Sequence, residues 1–473
     1  MPQPASTAHT PAPPRDTLTR TRPGATLAVT AAATAVALMN YTAPMLTLPD
    51  MAATFGTPAS ARAWLLNGTP LGLAVLLLVA GSLADAHGRR RVFLLGTLFL
   101  GLTTALGAFA GSTATFTAAR IAQGAASAAV LAGSLGLLAQ AYPAGRDRIR
   151  ATGIWGASVS AGIALGPLLA GALSLVDWRL AYEVLGAAAL VIAGAGARLL
   201  PTGGAAEKSG GSGARPDIAG ATALGLALAA LLTALTLGRD GWLRPQVGLL
   251  LLASVALTAL FVRVEHLSRT PMVDLGLLRR PAFLASTLGA LFTGLAVIGL
   301  FSVVPALLQS GGAGNGTGAG MSPLGAAWLF VLWSGTAFVV ALQTRRLAGR
   351  LSAPYQLALG FVLSAAGVLA LLGGLQGAAG SWPRLLPGLV VAGAGSGLLN
   401  AALPRLAVDS VPPERAAMGS GANNTARYIG SSAGVALMLA LATAGPDTAV
   451  LVAAALALTG AGLTLALGRK GSR

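Results

Sequence analysis

Gly81-Ser82-Leu83-Ala84-Asp85-Ala86-His87-Gly88-Arg89-Arg90-Arg91 is the stretch on which the reading of this chain turns. It sets one acid and three successive arginines between two apolar runs, at 63–83 and 92–111. Gly88 gives the backbone the freedom for a sharp reversal. Gly81 carries no side chain that would hold two helices apart. Asp85 is placed to face a helix amino terminus or an arginine at the same surface. A helix that crosses a bilayer takes about 20 mostly apolar residues. The runs on either side therefore read as membrane spans, and the arginines as the short loop between them.

Outward from this loop the pattern repeats. Apolar stretches fall at roughly 25–48, 63–83, 92–111, 116–141, 151–175, 180–197, 218–237, 246–262, 283–308, 324–342, 355–376, 385–403, 417–442 and 448–468, which predicts fourteen transmembrane helices. Many contain Gly or Pro, which are frequent in membrane helices, where small residues let backbones approach.

Charge then sets the topology. The 473 residues are 55% apolar and only 10% charged, yet 31 are basic and 14 acidic, a net charge of +17. An average soluble domain is about 25% charged, so an ordinary soluble enzyme is excluded. With the amino terminus inside, outward loops hold only Arg62, Arg179, Arg239, Arg244 and Arg384, and Arg120 and Arg427 fall within spans. The other cations lie in inward loops and tails, among them Arg146, Arg148, Arg150, Arg279, Arg280, Arg345, Arg346 and Arg350. This is the positive-inside distribution. A nucleic-acid binder would gather its cations on one element; no nucleic-acid partner is expected.

Other classes fall away. There is no cysteine, which removes disulfides and thiol catalysis. No metal site is expected, and no set of residues suggests catalysis. The two lysines, Lys208 and Lys470, do not follow glycine, so the chain has no phosphate-binding Gly-Lys loop and no ATP partner is expected. Gly393-Ala-Gly395-Ser-Gly397 lies in an apolar run with no alternating strand pattern around it and reads as a packing face.

The 81–91 stretch resembles the signature loop between the second and third helices of the major facilitator superfamily, where it implies a gate latch. Read physically it is also simply a basic loop that fixes topology. Ala86 stands where that family is usually basic. In the fourth span, Arg120-Ile-Ala-Gln123-Gly124 is similar to a family motif whose arginine is tied to proton relay. An arginine there otherwise snorkels to the nearer surface. In the fifth span, Gly153, Gly162, Gly166, Pro167 and Gly171 look like the motif that marks antiporters, a reading that implies export. The alternative is plain small-residue packing. Glu265, Pro271-Met-Val-Asp274, Arg279-Arg280-Pro281 and Gly419-Ser-Gly421-Ala-Asn423-Asn424-Thr-Ala-Arg427 are similar to segments of the fourteen-helix drug:proton antiporters. Arg345-Arg346-Leu347-Ala-Gly349-Arg350 occupies the place where the second half would repeat the signature loop. The resemblance runs from about residue 25 to 468.

One position departs from that group, whose members usually carry an acid nine residues before a helix-ending proline. Counting back from Pro49 gives Asn40, with Thr42 retained. The acid well inside a span is Glu183, in the outer third of the sixth. It is the candidate coupling carboxylate, paired with Arg120, or else an interfacial acid; Asp50 is the runner-up. Arg427, with Asn423 and Asn424 one turn before it, offers donors to an anionic or carbonyl-bearing substrate, or ties helices together.

The resemblance implies an all-α major facilitator fold. Residues 1–24 are expected to form a disordered cytoplasmic tail and 25–200 a six-helix bundle. A linker and inserted helix pair fill 201–270, and a second bundle fills 271–473. The expected activity is proton-coupled efflux of small amphiphilic compounds by a multi-pass protein of the inner (plasma) membrane, with both termini cytoplasmic. The expected partners are the lipid bilayer and the substrate. It acts as a monomer, with no cofactor and the proton as coupling ion. Metabolite uptake or exchange, or a non-transporting membrane sensor with the same fold, are the alternatives.

Overall fold

The computed structural model describes residues 23–142, 146–201, 218–238, 241, 243–268, 275–310, 320–347, 351–375, 382–411 and 416–471, with some side chains inside those ranges left aside. Residues 1–22 of the expected tail, 202–217 of the linker, 311–319 and 271–274 lie outside the described residues. So do the side chains of Asp85, Arg345, Arg346 and Arg350. Pro23 and Gly24, expected in the tail, already belong to the first helix.

Among the described residues the chain is helical throughout. The first half holds α1 (Pro23–Thr42), α2 (Pro44–Thr54), α3 (Arg62–His87), α4 (Arg89–Ala108), α5 (Thr113–Ala141), α6 (Arg146–Leu173) and α7 (Arg179–Leu199). Next come α8 (Ile218–Leu237) and α9 (Pro245–Leu267). The second half holds α10 (Pro281–Phe292), α11 (Val304–Gln309), α12 (Pro323–Leu347), α13 (Ala353–Leu369), α14 (Leu385–Asp409), α15 (Ala416–Ala444) and α16 (Pro446–Gly471). A π-turn, Thr293–Ile298, continues α10. Helix thus occupies each of the fourteen apolar stretches. Among the described residues eleven helices are long and apolar enough to cross a membrane by themselves; α8 and α13 contribute shorter apolar segments, Thr222–Leu237 and Ala353–Leu369, and α3 is in neither group.

Local chemistry places the breaks. Gly88 sits at φ +98° between α3 and α4, where a side chain would be strained. Ser112 and Thr115 form a reciprocal cap at the start of α5. Pro44, Pro245 and Pro281 open α2, α9 and α10, where a missing N–H costs nothing.

In the first half α1 packs on α5, α6 and α7, α3 on α5, and α4 on α5 and α7. In the second, α13 and α12 flank α14, and α16 packs on α10 and α13. The halves meet along α3 with α15 and α6 with α12. Helix α8 packs on both α3 and α15. The glycines make these seams possible. A Cβ on Gly430 or Gly434 would collide with the backbone of the Leu291–Leu295 turn, and one on Gly393 with Trp333 O. The Gly393–Gly397 run is therefore a packing face, as its composition predicts.

On α4, Leu95, Phe99, Leu102 and Leu106 are exposed at helical spacing, with Phe109 exposed just past its end. On α9, Leu249, Leu252 and Val255 are exposed likewise. In water such stripes would drive aggregation; against lipid tails they need no cover.

Candidate functional site

The loop end is built from the basic residues. Arg89 Nη1 donates to Gly136 O (3.2 Å) and Arg90 Nη2 to Ala197 O (2.8 Å). Arg148 Nη2 donates to Ala139 O (2.8 Å). Arg90 and Arg148 thus satisfy the free carbonyls at the ends of α7 and α5, where a cation also suits the helix dipole. Arg91 is exposed. These contacts tie helices within the first half. Gly81 has open space where a Cβ would stand, so it is no close-packing position.

Arg120 does not snorkel. It is wholly buried, and its Nη1 donates to Asn40 O (2.8 Å), Asn40 Oδ1 (2.6 Å) and Gln123 Oε1 (2.7 Å). Asn40 Nδ2 donates to Thr104, and Gln123 Nε2 to Thr103 O (3.1 Å). Sequence places these residues on three different spans; the fold assembles them into one network. Glu183 is not part of it. It is half-exposed on α7, with no ion pair to Arg120, contrary to the pairing expected. The neighbouring Tyr182 is the buried side chain there, packed with Phe116 and Trp178 and bonded to Thr47 (3.0 Å).

The antiporter-like glycines serve contacts with α1 and with the second half. Gly162 faces Ala35 and Leu38, Gly166 faces Met39 and Thr42, and Gly171 faces Ala327 and Pro323 across the two halves. Gly153 and Pro167 lie within α6, which stays helical through Pro167.

Between the halves lies an elongated cavity. Tyr41, Thr42 and Ser160 line it from the first half, with Thr293, Phe301, Trp333, Asn400 and Arg427 among the lining of the second. Phe301 and Trp333 stack at 4.2 Å and 8°. About 60 Å³ is open to a small molecule, space for roughly two waters; a drug-sized guest requires the halves to part. A larger groove of about 390 Å³ lined by Trp64, Thr117 and Ile121 lies between α3 and α5 and does not reach this interface.

Hydrogen bonds join the halves at mid-height and toward one end. Tyr41 bonds Ser431 (2.9 Å), Asn67 donates to Ser432 O (3.2 Å), and Gln309 donates to Leu46 O (3.2 Å). Leu46 and Gln309 lie at the end away from the Gly88 loop, so that end is closed.

Of the cavity candidates, Thr42 and Arg427 line the cavity. Asn424 holds Arg427 Nη2 (3.0 Å). Asn423 does not face substrate: it is buried and donates to Ser286 O (3.0 Å) and Ser286 Oγ (2.9 Å), tying α15 to α10. Asn40, spent on Arg120, is not a lining residue either. Asn400 and the Phe301–Trp333 stack were missed. An asparagine inside the apolar run 385–403 was a usable signal; the stack was not visible before folding.

Two bundles facing each other across a cavity closed at one end define a membrane transporter that exposes its cavity to the two sides in turn. The chain belongs to the Major Facilitator Superfamily, whose sequence profile it matches over residues 30–435. It is 31% identical to the multidrug resistance protein Stp of Mycobacterium tuberculosis over 83% of this chain and 70% of that protein. It is 32% identical to a probable actinorhodin transporter of Streptomyces coelicolor over 88% and 71%. To the puromycin resistance protein pur8 of Streptomyces alboniger it is 31% identical over 88% and 81%. A crystal structure of the peptide transporter POT in complex with sulfate shares the fold, with a TM-score of 0.66 over 94% of each chain at 17% identity.

Proposed function

We propose that this protein exports small amphiphilic compounds, drugs among them, by alternating access. The observation that carries the reading is the aromatic cavity at the joint of the halves, closed at the end that holds Leu46 and Gln309. The cation bias puts the Gly88 loop in the cytoplasm. The closed end then faces outward, so the cavity loads from the cytoplasm or the inner leaflet. Relatives named for multidrug resistance, puromycin resistance and actinorhodin transport support that direction.

In this reading fourteen helices cross the plasma membrane and both termini are cytoplasmic. Residues 25–200 and 271–473 are the moving bundles, and the monomer is the working unit. The proton is the coupling ion, and no other cofactor takes part. The Arg120–Gln123–Asn40 network and Glu183 are the candidate coupling groups.

The test is a drug-susceptibility panel in a host stripped of its own pumps, with and without an uncoupler. Raised tolerance to several amphiphiles that the uncoupler abolishes is the expected result. Unchanged tolerance, with the protein present in the membrane, counts against export.

A further inference from the structure

We propose that the preferred guest of the cavity is a planar aromatic monoanion, its acid group held by Arg427 and its ring laid along the Phe301–Trp333 stack. The inference rests on the transport reading above and adds the substrate class.

The charge balance of the site carries it. Arg427 lines the cavity, and no carboxylate does among the described residues. Its polar contacts are Asn424 Oδ1 (3.0 Å, from Nη2) and the ring of Tyr428, 5.6 Å from the guanidinium carbon. Its Nε is buried and has no hydrogen-bond partner. A guanidinium carries five N–H donors, and one is accounted for. Arg427 as a whole is partly exposed, so a guest can reach its other N–H groups, and an anion forms stronger, charge-assisted hydrogen bonds with them than a neutral acceptor does. A cation would be repelled.

Arg120 also has a buried Nε without a partner. It differs from Arg427 in that three acceptor atoms within 2.8 Å engage its Nη1 and it is sealed from the cavity.

Shape points the same way. The stacked Phe301 and Trp333, with Phe330 at 5.1 Å from Trp333, make a flat apolar wall. The Trp333 indole N–H is spent on Ser396 Oγ (3.2 Å) and one ring face is covered by Phe301, which leaves the opposite ring face as its offering. The hydroxyls of Thr42, Thr293, Ser302, Ser334 and Ser396 each donate to their own helix backbone. They therefore present little donor capacity to a guest. Asn400 makes no side-chain hydrogen bond and can give its amide N–H to a second acceptor on the guest.

The experiment uses the full chain in lipid nanodiscs and two matched probes, 2-naphthoate and the neutral 2-naphthamide, with binding read by calorimetry at neutral pH. The expected result is naphthoate binding at least about tenfold more tightly than the amide. Arg427→Gln should bring naphthoate down to the affinity of the amide and leave the amide within about twofold. Equal affinity of the two probes for the unmodified protein overturns the proposal, whether or not the variant folds. So does equal loss of both probes in Arg427→Gln that retains its thermal transition. Vesicle flux separates the two readings: naphthoate preference without any uphill movement overturns export and leaves the anion site standing.

Discussion

Arg120 Nη1 lies 2.6 Å from Asn40 Oδ1, and both residues are almost wholly buried. The asparagine stands where the resemblance led us to expect an acid. Its amide does two things a carboxylate cannot do alone: the oxygen accepts from Arg120 while the nitrogen donates to Thr104. The arginine is held by dipoles rather than by an opposite charge. A buried polar group left without its partner costs about 1–3 kcal/mol. Asn40→Ala should therefore lower the thermal transition of the purified protein by that equivalent. Asn40→Asp should hold or raise it, because hydrogen bonds to a charged acceptor are roughly twice as strong and Thr104 can turn its hydroxyl toward the carboxylate. An Asn40→Ala protein as stable as the parent would show that the network holds nothing together.

Gly171 meets the second half near the Leu46–Gln309 end. An added Cβ would lie 3.0 Å from Ala327 Cβ and 3.0 Å from Pro323 O, both in the other half. Overpacking costs about 1–3 kcal/mol, which moves a two-state equilibrium roughly 5- to 150-fold. Gly171→Phe should hold that end open and slow transport within this range. Gly156→Ala, on the same helix with open space around it, should transport normally. Flux measurements on the two variants side by side check the contrast.

The chain contains no cysteine, so a single engineered pair reports without background. Leu46→Cys with Gln309→Cys should react with a short bifunctional thiol reagent, and cross-linking should stop transport until the bridge is cleaved. Substrate or an imposed gradient should change the cross-linking rate. A pair that never cross-links under any condition would contradict the closed end inferred from the Gln309–Leu46 bond.

Asp50 follows Pro49, just beyond the first span. Partial burial, and then the charge of Asp177, push its carboxyl pKa above the usual value. The sign follows from linkage. A carboxylate whose pKa is higher in the folded state gives its full stabilisation when protonated, below the unfolded value near 4. That contribution is lost as pH rises through the folded value. Asp50→Asn should therefore be more stable than the parent at neutral pH, and its advantage should shrink toward pH 4. Thermal transitions recorded across that range test it; an advantage that grows on acidification would reverse the assignment.

The residues differ in how far they were legible. Gly88 and the three arginines after it declared a sharp turn, and the turn is there, since positive φ and helix-end capping are local properties. Arg120 and Gln123 are one helical turn apart and could be paired from spacing alone. Asn40 could be flagged as unusual, but its partnership with Arg120 could not be read, because it joins residues 80 positions apart. Asn423 and Arg427 looked alike as polar residues on one span. Their roles diverged because Asn423 points at Ser286 and Arg427 into the cavity.

What the sequence determined alone was what a bilayer enforces on any chain: apolar stretches of crossing length, cations gathered on one side, and glycines where helices approach. These are one-dimensional signals, since lipid acts on each helix separately. Tertiary structure alone decided which polar groups were consumed and which were left over. Glu183 fell to the half-exposed side of α7 and lost its presumed partner. Arg427 kept an unsatisfied nitrogen at the cavity. The difference is physical: a buried hydrogen bond is settled by which helices touch and how they rotate against one another, and no periodicity in a single helix records its neighbour's rotation.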